Sequence, residues 1–503
     1  MTTEILARAQ FAFTVAFHYI YPPLSIGLGL VLVMMEGAWL KTGNPLFHNM
    51  ARFWTRIFAL TFAIGVATGI VMEFEFGTNW ATYSRFVGDI FGSALAAEGI
   101  FAFFLESGFL ALLLFGWNKV GPRMHFFATC MVAFGAHFSA VWIVVANSWM
   151  QTPAGYHLET LVDGKQVFLP LSHVVTTSEL TSVRAVVDDF WAMVFNPSTL
   201  DRLTHVVLGA WMAGAFLVVS ISAFYLLRNR HLDFAKTSLK FGLGFAAVAC
   251  VLQMFSADAT AKGVVRNQPI KLAAIEGVYA TVPSTPMTLF GYVDAAQEKV
   301  IGPKIPGLLS FLAWGSFSKP VTGLRELPSD TFILARHPGA APQELPALRK
   351  SYWPNVPAVF QFYHLMIIVG VALLGLVMVA CFFWWRGWLF DTSLPLTRWL
   401  LAALVLSVLG PQIANQAGWF TAEVGRQPWI VYELLKTSES LSKVVTANQI
   451  ITSLILFTLV YTLLFVMFVF LLTRKIQHGP DSEEESEEMP ESWKALIRTT
   501  PRA

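Results

Sequence analysis

The feature that most constrains this chain is a series of nine apolar segments, each long enough to cross a bilayer: 11–40, 53–76, 92–117, 125–149, 203–227, 235–257, 357–385, 397–420 and 448–474. A helix needs about 20 predominantly apolar residues to span the hydrocarbon core, and only helices or closed barrels satisfy their backbone there. The segments therefore specify an all-α, polytopic membrane bundle of about nine transmembrane helices. Charge content agrees: 13% of the 503 residues are charged, against about a quarter in soluble domains. A net charge of +2 offers no basic surface for nucleic acid. Cys130, Cys250 and Cys381 lie in separate apolar runs with no CxxC pair, so they read as small hydrophobes and not as a disulfide or zinc framework. The N-terminus lacks a basic n-region and a small-residue cleavage site, and it reads as a retained first span.

Lys and Arg in short loops set orientation. One side gathers Lys41, Arg52 and Arg56, then Lys119 and Arg123, then Arg228, Arg230, Lys236 and Lys240, then Arg386, Arg398, Arg474 and Lys475. The other has Arg8, Arg85, Arg426, Lys436 and Lys443. The N-terminus is expected outside and the C-terminus in the cytoplasm. The chain then divides into six helices over 1–257 with an outer loop at 150–202, a long outer loop at 258–356, three helices over 357–474, and an acidic cytoplasmic tail at 475–503 whose SEEESEE run reads as solvated and disordered. In the first loop the segment from Glu179 through SVRAVVDDFWAMVF has an amphipathic pattern suited to the membrane surface. The second holds one short helix around IKLAAIEGVY. A structureless loop of such length points to function.

Charged groups inside spans are costly and mark function more often than not. The third span carries Glu98 and Glu106 in LAAEGIFAFFLESGF. Eight residues correspond to roughly 12 Å of rise and about 80° of rotation on a helix, so both can address one interior channel. They fit a proton route; the plainer alternative is a neutral, hydrogen-bonded pair that locks helix packing. His18, His205, His364 and Met366 all fall near the outer ends of their spans. Imidazole and thioether are common axial haem ligands, while the competing reading is ordinary packing. After the eighth span comes GWFTAEVGRQPW (418–429), with Glu423 three residues before Arg426 and Trp419 and Trp429 on either side. Arginine pairs well with carboxylates such as haem propionates; an interfacial aromatic belt with one ion pair is the bland alternative.

At this segment the sequence resembles subunit I of the cytochrome bd quinol oxidases. FGTNW (76–80), AFFLES (102–107), VANSWMQTP (145–153) and KLAAIE (271–276) extend the resemblance over nearly the whole chain. The resemblance implies a copper-free bundle in the bacterial inner (cytoplasmic) membrane that oxidises ubiquinol or menaquinol and reduces O2 to water. It implies a low-spin haem b on His205 and Met366, and a high-spin haem b plus a haem d (or a third b-type haem) on His18 and Glu423, in an order the sequence leaves open. Trp419 would lie between haems and Arg426 would neutralise propionates. Glu98, Glu106, Ser107, Ser139 and Asn147 would serve proton routes from the cytoplasm, and Lys271 and Glu276 would bind and deprotonate quinol in the long loop. Subunit II would be the partner, with a small single-span subunit as an optional further one. Proton motive force would arise from opposite-side chemistry without pumping. Where the family usually has arginine, two residues before the ligand methionine, this chain has His364, expected to take the arginine's place beside a propionate. A proton-coupled secondary transporter using Glu98 and Glu106 is the alternative from another class, although the hydropathy shows no internal repeat.

Overall fold

The computed structural model describes residues 2–162, 165–170, 179 and 182–481. The SEEESEE run lies outside the described residues, as do positions 180 and 181 of the amphipathic segment. Among the described residues, nine helical stretches are long and apolar enough to cross a membrane.

The first stretch is two helices, α1 (Thr3–His18) and α2 (Tyr21–Thr42). Pro22 and Pro23 cause the break, because proline lacks an N–H and is tolerated only in a first helical turn. The span thus begins earlier than the expected 11–40. Helix α3 (Pro45–Thr78) starts behind Asn44, whose side chain accepts from the Leu46 N–H at 2.9 Å. The third span joins α4 (Gly88–Ala97) to α5 (Phe104–Phe115) through a π-helical turn at Glu98–Phe103. Then follow α6 (Pro122–Gln151), α7 (Thr199–Leu227), α8 (Leu232–Asn267), the short α9 (Pro269–Glu276) and α10 (Val356–Trp385). Helices α11 (Pro395–Leu406) and α12 (Leu409–Val424) make the eighth span, and α13 (Ala447–His478) starts in a capping box of Thr446 and Gln449. Hydropathy had placed the end of the sixth span at 257. The helix continues for ten residues because polar residues end the apolar run without ending the helix, and Lys262 and Asp258 pair one turn apart at 2.6 Å.

Helices α2 and α7 form the centre. In its most apolar stretch α7 is 83% buried, whereas α13 is 11% buried and shows Leu459, Leu463 and Phe470 to the outside. That exposure suits hydrocarbon, since a water-facing apolar surface of this extent is unfavourable. The α2–α7 crossing is a backbone contact. A Cβ built on Gly27 would lie 2.7 Å from Gly214 N, and one on Gly214 would lie 2.5 Å from Gly27 Cα, the close approach that small residues permit between membrane helices. Neither neighbour is a side chain that can turn away. Gly214→Leu should therefore cost at least about 3 kcal/mol through overpacking and sharply reduce monodisperse detergent-solubilised protein. Normal yield and melting temperature would show that the crossing tolerates separation.

The described residues of both long loops form ordered elements. In the first, β1 (Tyr156–Val162) pairs antiparallel with β2 (Lys165–Leu169) and with β3 (Arg184–Val187), in the order β2-β1-β3. The amphipathic pattern read for this segment is thus half strand. The β-branched RAVV favours extended backbone, and only Phe190–Val194 is helical, capped by Asp189 accepting from the Ala192 N–H at 2.9 Å. In the second, two small hairpins, β4 (Met287–Thr288) with β7 (Lys304–Ile305) and β5 (Tyr292–Asp294) with β6 (Lys299–Ile301), cover α9. Val293, Val300, Leu309 and Leu324 share an apolar core there with Ala273 and Ala274 of α9 and Val359 and Phe360 of α10.

Candidate functional site

The loops bring the last turns of α6 and α12, the first turn of α7 and the whole of α9 together at one end of the bundle. Glu423, in the final turn of α12, is the hub. Its Oε1 accepts from Asn147 Nδ2 at 3.0 Å and from Gln151 Nε2 at 3.3 Å, both on α6. Its Oε2 accepts from Arg426 Nη2. Arg202 Nη2, one turn into α7, donates to Asn147 Oδ1. Lys271 Nζ on α9 donates to Gln151 Oε1, and Gln268 Nε2 donates to the same oxygen at 3.1 Å and to the Gln151 backbone carbonyl at 2.9 Å.

Charge in this cluster is lopsided: Arg202, Arg426 and Lys271 surround one carboxylate. Arg426, Lys271, Gln151 and Gln268 are buried. Burial, reinforced by Arg202 and Arg426, holds the Lys271 amine well below the usual lysine range. Even so, Arg202 Nε and Arg426 Nε and Nη1 are buried without a protein acceptor. Buried donors are nearly always satisfied, and leaving a charged one unmatched costs on the order of 1–3 kcal/mol or more. Guanidinium N–H groups in surplus are what the carboxylates of a haem edge complement. The residues fit that group.

The remaining sequence candidates fall around this end. His18 Nδ1 lies 2.9 Å from Thr68 Oγ1, and that hydroxyl itself donates to Ile64 O at 2.8 Å. The Thr68 oxygen must then accept from Nδ1–H, which leaves the lone pair on Nε2, a tautomer suited to metal ligation. His205 lies beside Gln253, whose Nε2 is 3.1 Å from its Nδ1. Met366 on α10 reaches α12 where Gly418 leaves room, since a Cβ there would sit 2.8 Å from the methionine sulfur. Trp419, next to it, meets Phe420 edge-on with ring centres 5.2 Å apart.

Not every expected grouping forms. His364, expected beside a propionate, turns Nδ1 to Phe360 O at 2.8 Å and Nε2 to Thr288 O at 2.9 Å, binding α10 to the 258–356 loop. Asn147 stands in the Glu423 hub, donating to Glu423 Oε1 and accepting from Arg202. Glu98 accepts from Ser139 Oγ at 2.6 Å, and buried Glu106 packs its Cβ 3.0 Å from the Cβ position of Gly135, so both residues lie against α6. Ser107 is exposed and joins neither. Lys271 and Glu276 are both buried and look in different directions, Lys271 to Gln151 and Glu276 to Tyr363. Burial pushes the Glu276 carboxyl up to about 7, against a Tyr363 hydrogen bond that lowers it.

Arg202 and Gln151 escaped the sequence reading. Arg202 stands one turn before His205 in DRLTHVV, and this spacing was the available signal. Gln151 lies inside VANSWMQTP but carries no charge to draw notice.

Residues 6–480 match the family model described as Cytochrome bd terminal oxidase subunit I. The chain belongs to that family. It is 34% identical over 529 residues to the cytochrome bd-II ubiquinol oxidase subunit 1 of Escherichia coli (strain K12), covering 96% of this chain and 98% of the relative. It is 35% identical over 485 residues to the cytochrome bd ubiquinol oxidase subunit 1 of Bacillus subtilis (strain 168), covering 96% and 95%. The solved bd oxidase from Geobacillus thermodenitrificans superposes with a TM-score of 0.79 at 27% identity, over 95% of this chain and 99% of that one. As a cytochrome bd subunit I, the protein is a quinol oxidase, a haem-dependent oxidoreductase of respiratory electron transport in a membrane. Membership in the cytochrome bd family removes the transporter alternative for Glu98 and Glu106.

Proposed function

We propose that this chain oxidises quinol at the loop-bearing end, facing outside, and reduces O2 to water with protons drawn from the cytoplasm, so that proton motive force arises without pumping. The surplus of buried guanidinium N–H groups around Glu423 carries the proposal, because it calls for an anionic group of the size and charge of haem propionates. Haem supplies the iron at which oxygen is reduced and the route for electrons. His205 and Met366 would hold a low-spin haem b, and His18 and Glu423 one each of a high-spin haem b and a haem d (or a third b-type haem). Arg426 and Arg202 would hold propionates, and Trp419 would pack between haems.

Glu276 is the proposed acceptor of the quinol proton and Lys271 its neighbour on the same short helix. Glu106 and Glu98, lying against α6, and Ser139 on it would pass protons from the cytoplasmic side towards the Glu423 end, each carboxyl holding a proton and releasing it to the next. The chain would work with subunit II in the bacterial cytoplasmic membrane, with a small single-span subunit as an optional addition and ubiquinol or menaquinol as substrate.

Purification of the complex, a visible spectrum and pyridine haemochrome analysis test the proposal. Haem b with or without haem d, together with quinol-dependent oxygen uptake, is the expected result; a colourless complex would overturn it. Quinol turnover should also report Glu276. With the carboxyl at about 7, the basic form is scarce at low pH, so kcat/KM for quinol should rise about tenfold per pH unit below pH 7 and level off above it. Glu276→Gln should be slow, with that rise absent. An unchanged pH profile in this variant would place the base elsewhere.

A further inference from the structure

Resting on the proposed roles of Glu423 and Lys271, we infer that Gln151 is a positioning residue that joins the quinol-loop lysine to the Glu423 carboxylate, so that a change at either is felt at the other. Lys271 and Glu423 belong to different parts of the molecule, one on the short helix α9 of the outer loop, the other at the end of α12. A single side chain lies between them.

The Gln151 amide is used on both sides. Oε1 accepts from Lys271 Nζ and from Gln268 Nε2 at 3.1 Å. Nε2 donates to Glu423 Oε1 and to Ala422 O, each at 3.3 Å. A primary amide is the only uncharged side chain of this length that offers donors at one atom and acceptors at its neighbour. A carboxylate could only accept and a thioether would do little of either. Gln151 is 1% exposed, so water does not substitute for its partners, and the bonds polarise one another in a medium of low dielectric. Its own backbone carbonyl is gripped by Gln268 at 2.9 Å, which fixes the last turn of α6 to the start of α9. The amide is thus held at both its backbone and its head, as a connecting residue must be if displacement at one end is to reach the other.

A purely structural glutamine and a coupling glutamine differ in a double-mutant cycle, since the effects of two changes add when the sites are independent and fail to add when one acts through the other. The two-subunit holoenzyme is prepared as wild type, Lys271→Met, Gln151→Met and the double variant. The absorption bands of the high-spin haems are then recorded at rest, without quinol, beside KM and kcat for quinol. Lys271→Met should shift the bands in the wild-type background and leave them where they are in the Gln151→Met background. Gln151→Met alone should raise the quinol KM about fivefold with a smaller effect on kcat. An equal shift in both backgrounds, or in neither, overturns the inference. Should the Met variant not accumulate, Gln151→Asn completes the same cycle, its amide ending about 1.5 Å short of both partners. Glu423→Ala serves as the separate control. If that variant keeps all its haem and oxygen uptake, the assignment of Glu423 is what fails; if it loses them while the cycle shows no coupling, only the role of Gln151 fails.

Discussion

Glu423→Ala should lose one high-spin haem signal and lower quinol-dependent oxygen uptake by at least about 100-fold, the scale seen when a group in direct contact with the reacting centre is removed. The carboxylate is the one anion among Arg202, Arg426 and Lys271, and it receives hydrogen bonds from Asn147, Gln151 and Arg426. Its removal leaves those donors facing one another, and stranding a buried charge typically costs about 3–5 kcal/mol. Loss of folding must therefore be separated from loss of a ligand. Glu423→Gln does so: it keeps the volume and an acceptor oxygen, so the protein should assemble with subunit II while its spectrum still changes. Haem counted per protein by pyridine haemochrome, with oxygen electrode traces of both variants, gives the answer. Full activity in Glu423→Ala would take the residue out of the site.

Met366→Ala should convert the low-spin b spectrum to a high-spin one, whereas His364→Ala should leave it six-coordinate. The two side chains are about 200° apart on a helix, so one iron can be met by only one of them. The Met366 sulfur lies against the gap above Gly418 on α12, while both nitrogens of His364 face backbone carbonyls. With both ring nitrogens held at backbone carbonyls, His364 has no free nitrogen to turn towards an iron. His364→Ala should instead loosen the 258–356 loop at Thr288 and raise its rate of proteolysis. The opposite spectral outcome would move the ligand to His364. Gly418→Ala offers an independent check, since it should disturb the low-spin band by displacing the sulfur.

Much of this arrangement is written along the chain, and what is missing has a common cause. Nine apolar runs sufficed for the nine membrane-length helical stretches among the described residues because lipid leaves the backbone no other choice. The short helix of the long loop was visible in IKLAAIE for a local reason, its tight apolar spacing behind Pro269. Strand β3 was not, since RAVV becomes a strand only by pairing with β1, and periodicity cannot reveal a partner. The same holds in the site. Glu423 and Arg426 announce themselves as charges at the end of an apolar span, and Lys271 was reached only through the resemblance of KLAAIE. Gln151 and Arg202 acquire their meaning from neighbours on three other elements. Asn147 was noticed, but its bonds to Glu423 and Arg202 were not, because depth in the membrane was known and direction around the helix was not.

Direction around a helix is also what the wide turn at Glu98–Phe103 alters. Its signature bond runs from the Phe104 N–H to Gly99 O, five residues back, which accommodates one residue more than an α-turn. On a regular helix Glu98 and Glu106 would stand about 80° apart; one absorbed residue takes back about 100°, leaving them within roughly 20° of a common line. This explains why the two residues lie against Ser139 and Gly135, positions a single turn apart on α6. The turn works as a phase corrector, and the register of the pair depends on its length more than on its residues. Deleting one residue between Gly99 and Phe103 would swing Glu106 towards the neighbouring helix or the lipid with Glu98 still in place, cutting the row of acids without touching either acid.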